Sequence, residues 1–479
     1  MLPQLKQFVP SDFCLKCHGC CRFSENPSIW APSGYGLLRN GEEFLCVNLN
    51  PEDNRCKIYG RRPLDCRLYP FLLSKKGNAL KLSLHKTCVF IDEKKSGTAD
   101  IQRYVEYLKE KLSRGQFISL IRDNPEIAAD YQENVEILAD LEKVFIRAYL
   151  PELSKLTIKD KPLIERYLKE NEPDISAYHF AGIFIWKDLF LISWTIIEKN
   201  LCLFYGLGKY KTLSQPLKIA EDHRRRRFSC QDNAGMFMVL PPLGPFNAGV
   251  VKRCFELMDF YNQNSEVVRI ENVREEEVGS YARLGLRAKL KDREYACLRD
   301  DLVNLCGDGF KHKRSSYNHF IKTYNAQILE YCPAYQKACL RLYRLWMNMR
   351  EDKRDDIIYQ QMLEDSRLSF QTALKYYGEL GLAGYVVKAG GKIKACSFGY
   401  PLNRETFCIL FEVCDLNFKG IAQFIFREFA RKLSGYKYLN IMGASDLENL
   451  KKHKLSYRPA KDIAVYNIYY PRLSAYKNE

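Results

Sequence analysis

Four cysteines fall within eight residues near the start of the chain, as Cys14-x2-Cys17-x2-Cys20-Cys21. Cys46, Cys56, Cys66 and Cys88 follow, so eight of the 18 cysteines lie in the first 88 residues. Thiolates are soft ligands that suit zinc or iron–sulfur clusters, and two-residue spacing lets one tight turn aim two sulfurs at one ion. Eight ligands suffice for two four-sulfur sites. Cys20 and Cys21 are adjacent, so their side chains diverge and are not expected to serve the same ion. The run departs from the ferredoxin pattern, which sets three residues between its third and fourth cysteines. The bland alternative is a set of buried free thiols, but thiols this dense without a metal would be an oxidation hazard. The remaining ten cysteines are scattered from Cys202 to Cys414 and read as small apolar fillers. This shift in usage marks residues 1–98 as a separate Cys-rich metal-binding domain.

A chain of 479 residues exceeds one typical domain and predicts two to four. Its 46% hydrophobic and 28% charged residues exclude a mostly disordered chain. The net charge of +16 speaks to partners such as phosphates, nucleic acid or anionic lipid. The most apolar stretch, Phe180 to Ile197, is interrupted by Lys187 and Asp188, so no transmembrane segment is expected. The opening MLPQLKQFVPSDF lacks a basic region followed by an apolar one. The expectation is a cytoplasmic protein, with peripheral membrane contact left open, whose cysteines are thiols or ligands.

Ile101, Tyr104, Val105, Leu108 and Leu112 recur at helical spacing. Asn124-Pro125 reads as a helix start, with the helix running to Tyr149. Residues 99–157 are therefore expected to be a helical connector. Beyond it, strands are expected at Leu189–Ile197, Leu201–Leu207, Gly235–Leu240, Ala383–Lys388, Lys392–Tyr400, Thr406–Val413, Lys437–Ile441 and Ile463–Tyr469. Helices are expected over Asn247–Asn262, 312–327, 333–349, 355–380 and Gly420–Leu433. Twice a strand ends in a Gly-containing turn before a helix. The fold class is therefore α+β: a small Cys-rich domain, the connector, then two tandem mixed α/β modules at 158–300 and 301–479.

Asp415-Leu-Asn417-Phe-Lys419-Gly420 follows a strand and opens a helix. A helix N-terminus with a permissive glycine can bind phosphate, though a plain strand–turn–helix looks similar. Lys311-His312-Lys313-Arg314 opens another helix. His223 to Arg227 is a basic run suited to backbone phosphate, or a solvated loop. Lys451 and Lys454 share a face if helical.

Two resemblances are carried by longer patterns. Cys14–Cys21, Cys46 and Cys56-Lys-Ile-Tyr59-Gly-Arg-Arg62-Pro63-Leu-Asp-Cys66-Arg67-Leu-Tyr69-Pro70 resemble the zinc- or iron-chelating CxxCxxCC family over residues 10–95. Residues 158–470 look like the C-terminal domain of phosphatidylglycerol lysyltransferases and its stand-alone relatives, a tandem of Gcn5-related acyltransferase-like modules. The stretches that carry this second match are Ile175-Ser176 with Phe180 and Trp186, and Leu240-Pro241-Pro242-Leu243-Gly244. They continue with Leu302-x2-Leu305-x-Gly307-x3-Lys311-His312-Lys313-Arg314-x3-Asn318-x-Phe320 and Phe398-Gly-x3-Asn403-x2-Thr406-Phe407 leading to Phe411-Glu412. The last is Asn440, then Leu450-Lys451-x2-Lys454-x-Ser456-Tyr457-x-Pro459. The family's N-x-E-x-D-L-G stands here as Asn440-Ile-Met-Gly443-Ala-Ser-Asp446-Leu, with the Glu absent and the Asp displaced by two. Asn417 stands where Gcn5-related loops carry Arg or Gln.

The resemblance implies transfer of an aminoacyl group from a charged transfer RNA to an acceptor that is a lipid head group, a peptide or a small amine. The ester is already activated, so the site mainly positions reactants and stabilises the oxyanion. Glu412, Asp446 and Asn440 are the candidate catalytic residues. Asn417, Lys419, Gly420, Lys313, Arg314, Lys451 and Lys454 are candidates for donor or phosphate binding, with Lys313 and Arg314 open also to contact with an inter-module carboxylate. Cys14, Cys17, Cys20, Cys21, Cys46, Cys56, Cys66 and Cys88 are candidates for zinc or iron, iron–sulfur included. Acyl transfer itself needs no cofactor. Two alternatives stand beside this reading: an acyl-CoA-dependent N-acyltransferase of the same fold, and a non-catalytic metal- or redox-sensing ligand-binding protein.

Overall fold

A computed structural model describes residues 4–17, 19–77, 79–94, 98–170, 173–206, 235–262, 267–351, 357–445 and 447–470. The chain forms two compact units, Met1–Glu152 and Leu153–Glu479.

The first unit opens with short strands. β1 (Arg22–Phe23), β2 (Leu37–Asn40) and β3 (Glu43–Cys46) pair in the order β1-β3-β2, and β4 (Leu49–Asn50) pairs with β5 (Arg55–Cys56). A four-stranded sheet follows, ordered β8-β6-β7-β9, from β6 (Phe71–Lys76), β7 (Ala79–His85), β8 (Ala128–Ala129) and β9 (Val135–Asp140). Leu80, Leu82 and Leu84 alternate along β7 and are buried, as the period of two requires. Helix Glu142–Tyr149 contacts β7 and buries Val144, Phe145 and Ala148. Full burial of side chains such as Val144 and Phe145 is worth about 1.5–3 kcal/mol each. The helix expected from Pro125 to Tyr149 is corrected. A single turn at Pro125–Ile127 gives way to β8 and β9, and only Glu142–Tyr149 is helical. The reason is tertiary: Asn134 sits at φ 55, and β9 satisfies the free edge of β7 from Lys81 to His85, overriding helical propensity. The expected helical connector thus contributes two strands to the first unit's sheet.

The second unit is built on one 12-stranded sheet. Its strands are β10 (Ser154–Lys155), β11 (Leu191–Ile197), β12 (Asn200–Gly206), β13 (Phe237–Met238), β14 (Ile270–Arg274), β15 (Arg287–Leu298), β16 (Ala326–Glu330), β17 (Ala383–Ala389), β18 (Lys392–Pro401), β19 (Thr406–Cys414), β20 (Tyr438–Asn440) and β21 (Lys461–Tyr469). Their order is β10-β11-β12-β13-β14-β21-β15-β20-β19-β18-β17-β16. Two neighbouring pairs are parallel, β13 with β14 and β19 with β20. Each is joined through a helix, Ala248–Asn262 in the first half and Ile421–Lys432 in the second. The two sequence cycles are these two strand–helix–strand crossovers. The last strand, β21, lies between β14 and β15. The halves divided at residue 300 in sequence therefore interleave their strands. One apolar cluster joins them, from Phe180 and Phe184 through Leu201 and Leu203 to Tyr400, Cys408 and Val465.

β15 was not expected, because Lys289, Lys291, Asp292 and Arg293 give it the composition of a solvated loop. It is a strand because it pairs along both edges, with β21 and β20. The helix expected over 312–327 ends at Thr323 and the chain continues into β16. Among the described residues, no helix is long and apolar enough to cross a membrane.

Candidate functional site

β19 and β20 stay paired only over Thr406–Cys408 and Tyr438–Asn440. β19 runs on to Cys414 while the chain departs from β20, so the sheet opens beside Glu412. Helix Lys311–Thr323 lies over this region. Its buried face presents Lys313, Tyr317 and Phe320, at the i, i+4, i+7 spacing of one helical stripe. Tyr317 and Phe320 pack in one cluster with Cys414. Glu412 is two residues before Cys414 and on the same face of β19, which sets it opposite Lys313, one turn before Tyr317.

Lys313 is 9% exposed, and its Nζ stands 3.7 Å from the centroid of the Tyr457 ring. Neither the Lys313 nor the Glu412 side chain makes a hydrogen bond or ion pair with another described residue. Burial pushes Glu412 up to about 7 against the pull of Lys313 and Lys454. Burial pulls Lys313 down to about 8, with Glu412 opposing. A carboxylate titrating near neutrality is suited to general-base work.

Beneath this opening lies a committed polar network. Glu294 of β15 is buried at 6% exposure. Ser176 donates to it through its backbone N–H (2.8 Å) and its hydroxyl (2.6 Å), and Asn440 Nδ2 donates at 2.7 Å. Burial raises Glu294, and these donors together with Lys454 oppose the rise. Asn440 also donates to Asp174 O and accepts from the Met442 N–H, so both ends of its amide are spent on structure. Lys454 Nζ donates to Ile441 O at 2.6 Å and to Gly443 O. Asp292 accepts from the Ala444 and Ser445 N–H groups. These contacts hold the loop after β20, in which Met442 and Ser445 have φ 60 and 49. Glu294→Ala would strand these donors in a dry core. It is expected to cost about 3–5 kcal/mol of stability, read from the denaturant midpoint, with Glu294→Gln costing less.

The other expected residues fall in different settings. Arg314 donates to Gly307 O at 2.6 Å and to Leu305 O, fixing the turn before its own helix. Lys451 is exposed and 4.0 Å from Glu448. Lys419 is exposed. Asn417 donates through its backbone N–H and Nδ2 to Asp415 Oδ1, while buried Asp415 pairs with Lys394 at 2.9 Å. A carboxylate thus already accepts from the loop expected to cradle phosphate. Gly420 has φ 89, and a Cβ there would lie 2.2 Å from Ser316 O. The glycine is needed because helix Lys311–Thr323 crosses against the start of helix Ile421–Lys432. Gly420→Ala is expected to cost about 2–4 kcal/mol from backbone strain and overpacking, measured by denaturation without any ligand. Asp446 and the run His223 to Arg227 lie outside the described residues. Sequence reasoning missed Glu294 and Asp292, both on the unexpected β15.

In the first unit the eight cysteines sort into two sets. Cys14 and Cys88 share an apolar cluster with Val9 and Phe90. The Cys20 thiol, raised by burial, feels Cys14, Cys17 and Cys88 before Cys21. Cys21 and Cys46 share a different cluster with Phe23 and Leu49, and the Cys46 N–H donates to Cys21 O at 3.0 Å. Cys56 pairs across β4–β5 with Leu49 of that cluster. Burial pushes the Cys21 thiol up to about 12, helped by Cys46 and Cys56. Burial likewise raises Cys66, helped by Asp65 and then by Cys21 and Cys46. Adjacent Cys20 and Cys21 thus feel different neighbours most strongly, although both line one cavity. Six of the eight line a cavity of about 510 Å³. Arg62, stacked on Tyr59 at 3.8 Å, lowers Cys14, Cys21 and Cys66. The donor set fits zinc or iron chemistry. Among the described residues, no three His, Cys, Asp or Glu side chains meet as a closed ligand group.

The family model for the C-terminal region of phosphatidylglycerol lysyltransferase matches residues 229–469, half of the chain. The chain belongs to that family. The match spans Lys313, Glu412, Asn440 and Lys454 of the phosphatidylglycerol lysyltransferase-type unit. A second model, the CxxCxxCC domain described as a candidate zinc- or iron-chelating domain, matches residues 13–95. No curated protein matches the chain. A conserved protein of unknown function from Bacteroides thetaiotaomicron VPI-5482 shares the fold, with TM-score 0.55 and 21% identity over 67% of this chain and 99% of its own. L-PGS from Bacillus licheniformis aligns with TM-score 0.43 and 15% identity, over 66% and 93% of the two chains.

Proposed function

We propose that the second unit transfers an aminoacyl group from a charged transfer RNA to an amine acceptor, at the opening between β19 and helix Lys311–Thr323. The observation that carries this reading is the approach of Glu412 to Lys313, each the other's foremost charged neighbour and neither side chain held in a hydrogen bond or ion pair among the described residues. The acceptor amine attacks the ester carbonyl. A C–N bond forms, Glu412 accepts the amine proton and passes it to the ribose oxygen as the C–O bond breaks, and the ribose leaves as a hydroxyl. No covalent enzyme intermediate is required. Exposed Lys451 and Lys419, with the net charge of +16, suit the RNA backbone. Arg314, Lys454, Asn417 and Gly420 serve the protein's own backbone and loops. Asp415 in the loop before helix Ile421–Lys432 opposes a pyrophosphate there, which favours a charged RNA over coenzyme A as donor.

The cysteine unit is read as a holder of two metal ions, zinc or iron. Cys14, Cys17, Cys20 and Cys88 would hold one, and Cys21, Cys46, Cys56 and Cys66 the other. Bound metal would supply folding energy to a unit of short strands. The donor is tested by binding charged transfer RNA, uncharged transfer RNA and acetyl-CoA to the metal-loaded chain at one salt concentration. Preference for the charged RNA is expected. Preference for acetyl-CoA would replace this reading with acyl-CoA-dependent transfer.

A further inference from the structure

We propose that the acceptor is a zwitterionic amine, a primary amine carrying a carboxylate or phosphate a few atoms away. The inference rests on the transfer reading and names its acceptor. Charges drawn wholly or partly out of water are ordinarily paired or hydrogen-bonded, and the charges around this opening, Lys313 and Glu294 buried and Glu412, Lys454 and Asp292 half-buried, divide on that criterion. Lys454 is spent on Ile441 O and Gly443 O, Asp292 on two loop N–H groups, and Glu294 on Ser176 and Asn440. Lys313 and Glu412 remain, one of each sign, facing each other across the face that Cys414, Tyr317 and Phe320 close with apolar packing. Lys313 rests on the Tyr457 ring, which steadies the ammonium without neutralising it. A ligand bearing both charges completes both groups at once.

The donor does not fill this role. In an aminoacyl ester the carboxyl is consumed by the ester, and the nearest phosphate lies beyond the ribose. An acceptor with an anion close to its amine places the anion on Lys313 and the nitrogen on Glu412. There Glu412 takes one proton from the ammonium, which frees the lone pair that bonds to the carbonyl carbon, and the second proton the nitrogen sheds passes to the ribose oxygen as it departs.

The test is equilibrium binding to the full metal-loaded chain, with no donor present. Four probes are compared: alanine, phosphoethanolamine, ethanolamine and N-acetylalanine. Alanine or phosphoethanolamine is expected to bind at least about tenfold tighter than the other two, and whichever wins identifies the anion as carboxylate or phosphate. Lys313→Met should reduce the preference over ethanolamine to about one, and Lys313→Arg should restore it, which separates charge from folding. Ethanolamine binding as tightly as both zwitterions, or a preference that survives Lys313→Met, overturns the inference. Zwitterion preference in a chain that transfers nothing would uphold the inference as a binding site and remove the transfer reading. Transfer without that preference would do the reverse.

Discussion

Glu412→Gln is expected to lower the rate of aminoacyl transfer by about 10²–10⁴-fold, the range for loss of a general base. The pH profile carries the sharper signature. Burial holds Glu412 at about 7, so kcat/KM of the wild type should rise through pH 7 as the carboxyl ionises. Burial holds Lys313 at about 8, so the rate should fall above pH 8 as that ammonium is lost. The glutamine variant should lose the acidic limb. Its stability should move the other way. A carboxyl whose folded value lies above its unfolded one favours the fold while protonated, and that advantage disappears as pH rises through 7. The wild type should therefore lose about 1–3 kcal/mol between pH 4.5 and 8 at this residue, and Glu412→Gln should not. A slow variant that is more stable than wild type at pH 8 marks a functional carboxylate. A merely structural one would cost stability when changed.

Metal removal is expected to have the largest effect on folding. Around the short strands β1 to β5 that carry Cys46 and Cys56, the apolar cluster is small, built on Phe23, Leu45, Cys46 and Leu49. Structural zinc in small domains is worth about 10–16 kcal/mol of apparent binding free energy. A chelator should therefore melt this segment, and elemental analysis of the untreated chain should find two metal ions. The adjacent cysteines make the decisive pair. Cys20→Ser and Cys21→Ser should each leave one ion, and the double variant none. If either single change removes both ions, the two sets form one site.

Much of this was legible in the sequence, for identifiable reasons. The cysteine clustering announces itself by spacing. β17, β18 and β19 are dense in Val, Ile, Phe and Cys, and helix Ile421–Lys432 buries Ile421, Phe424, Ile425 and Phe429 along one stripe. β15 was hidden because its identity depends on two partners distant in sequence. The Pro125–Tyr149 stretch departs from its helical pattern because pairing with β7 outweighs local propensity. At the site, Glu412 and Lys313 can each be singled out and a carboxylate contact for Lys313 is open, but that the carboxylate is Glu412 is not legible, since Cys414 and Tyr317 come together only through the fold. Gly420 shows the limit of motif reading. The glycine was expected to admit a phosphate, and the structure shows it admitting the backbone of a neighbouring helix.

The most direct test is transfer itself. The full metal-loaded chain is incubated with transfer RNA carrying a labelled amino acid and a mixture of primary amines, and new labelled amides are sought by mass spectrometry. Amide formation is expected that requires the charged RNA and falls by about 10²–10⁴-fold in Glu412→Gln. Equal labelling by wild type and variant, or labelling only when acetyl-CoA replaces the charged RNA, would contradict it.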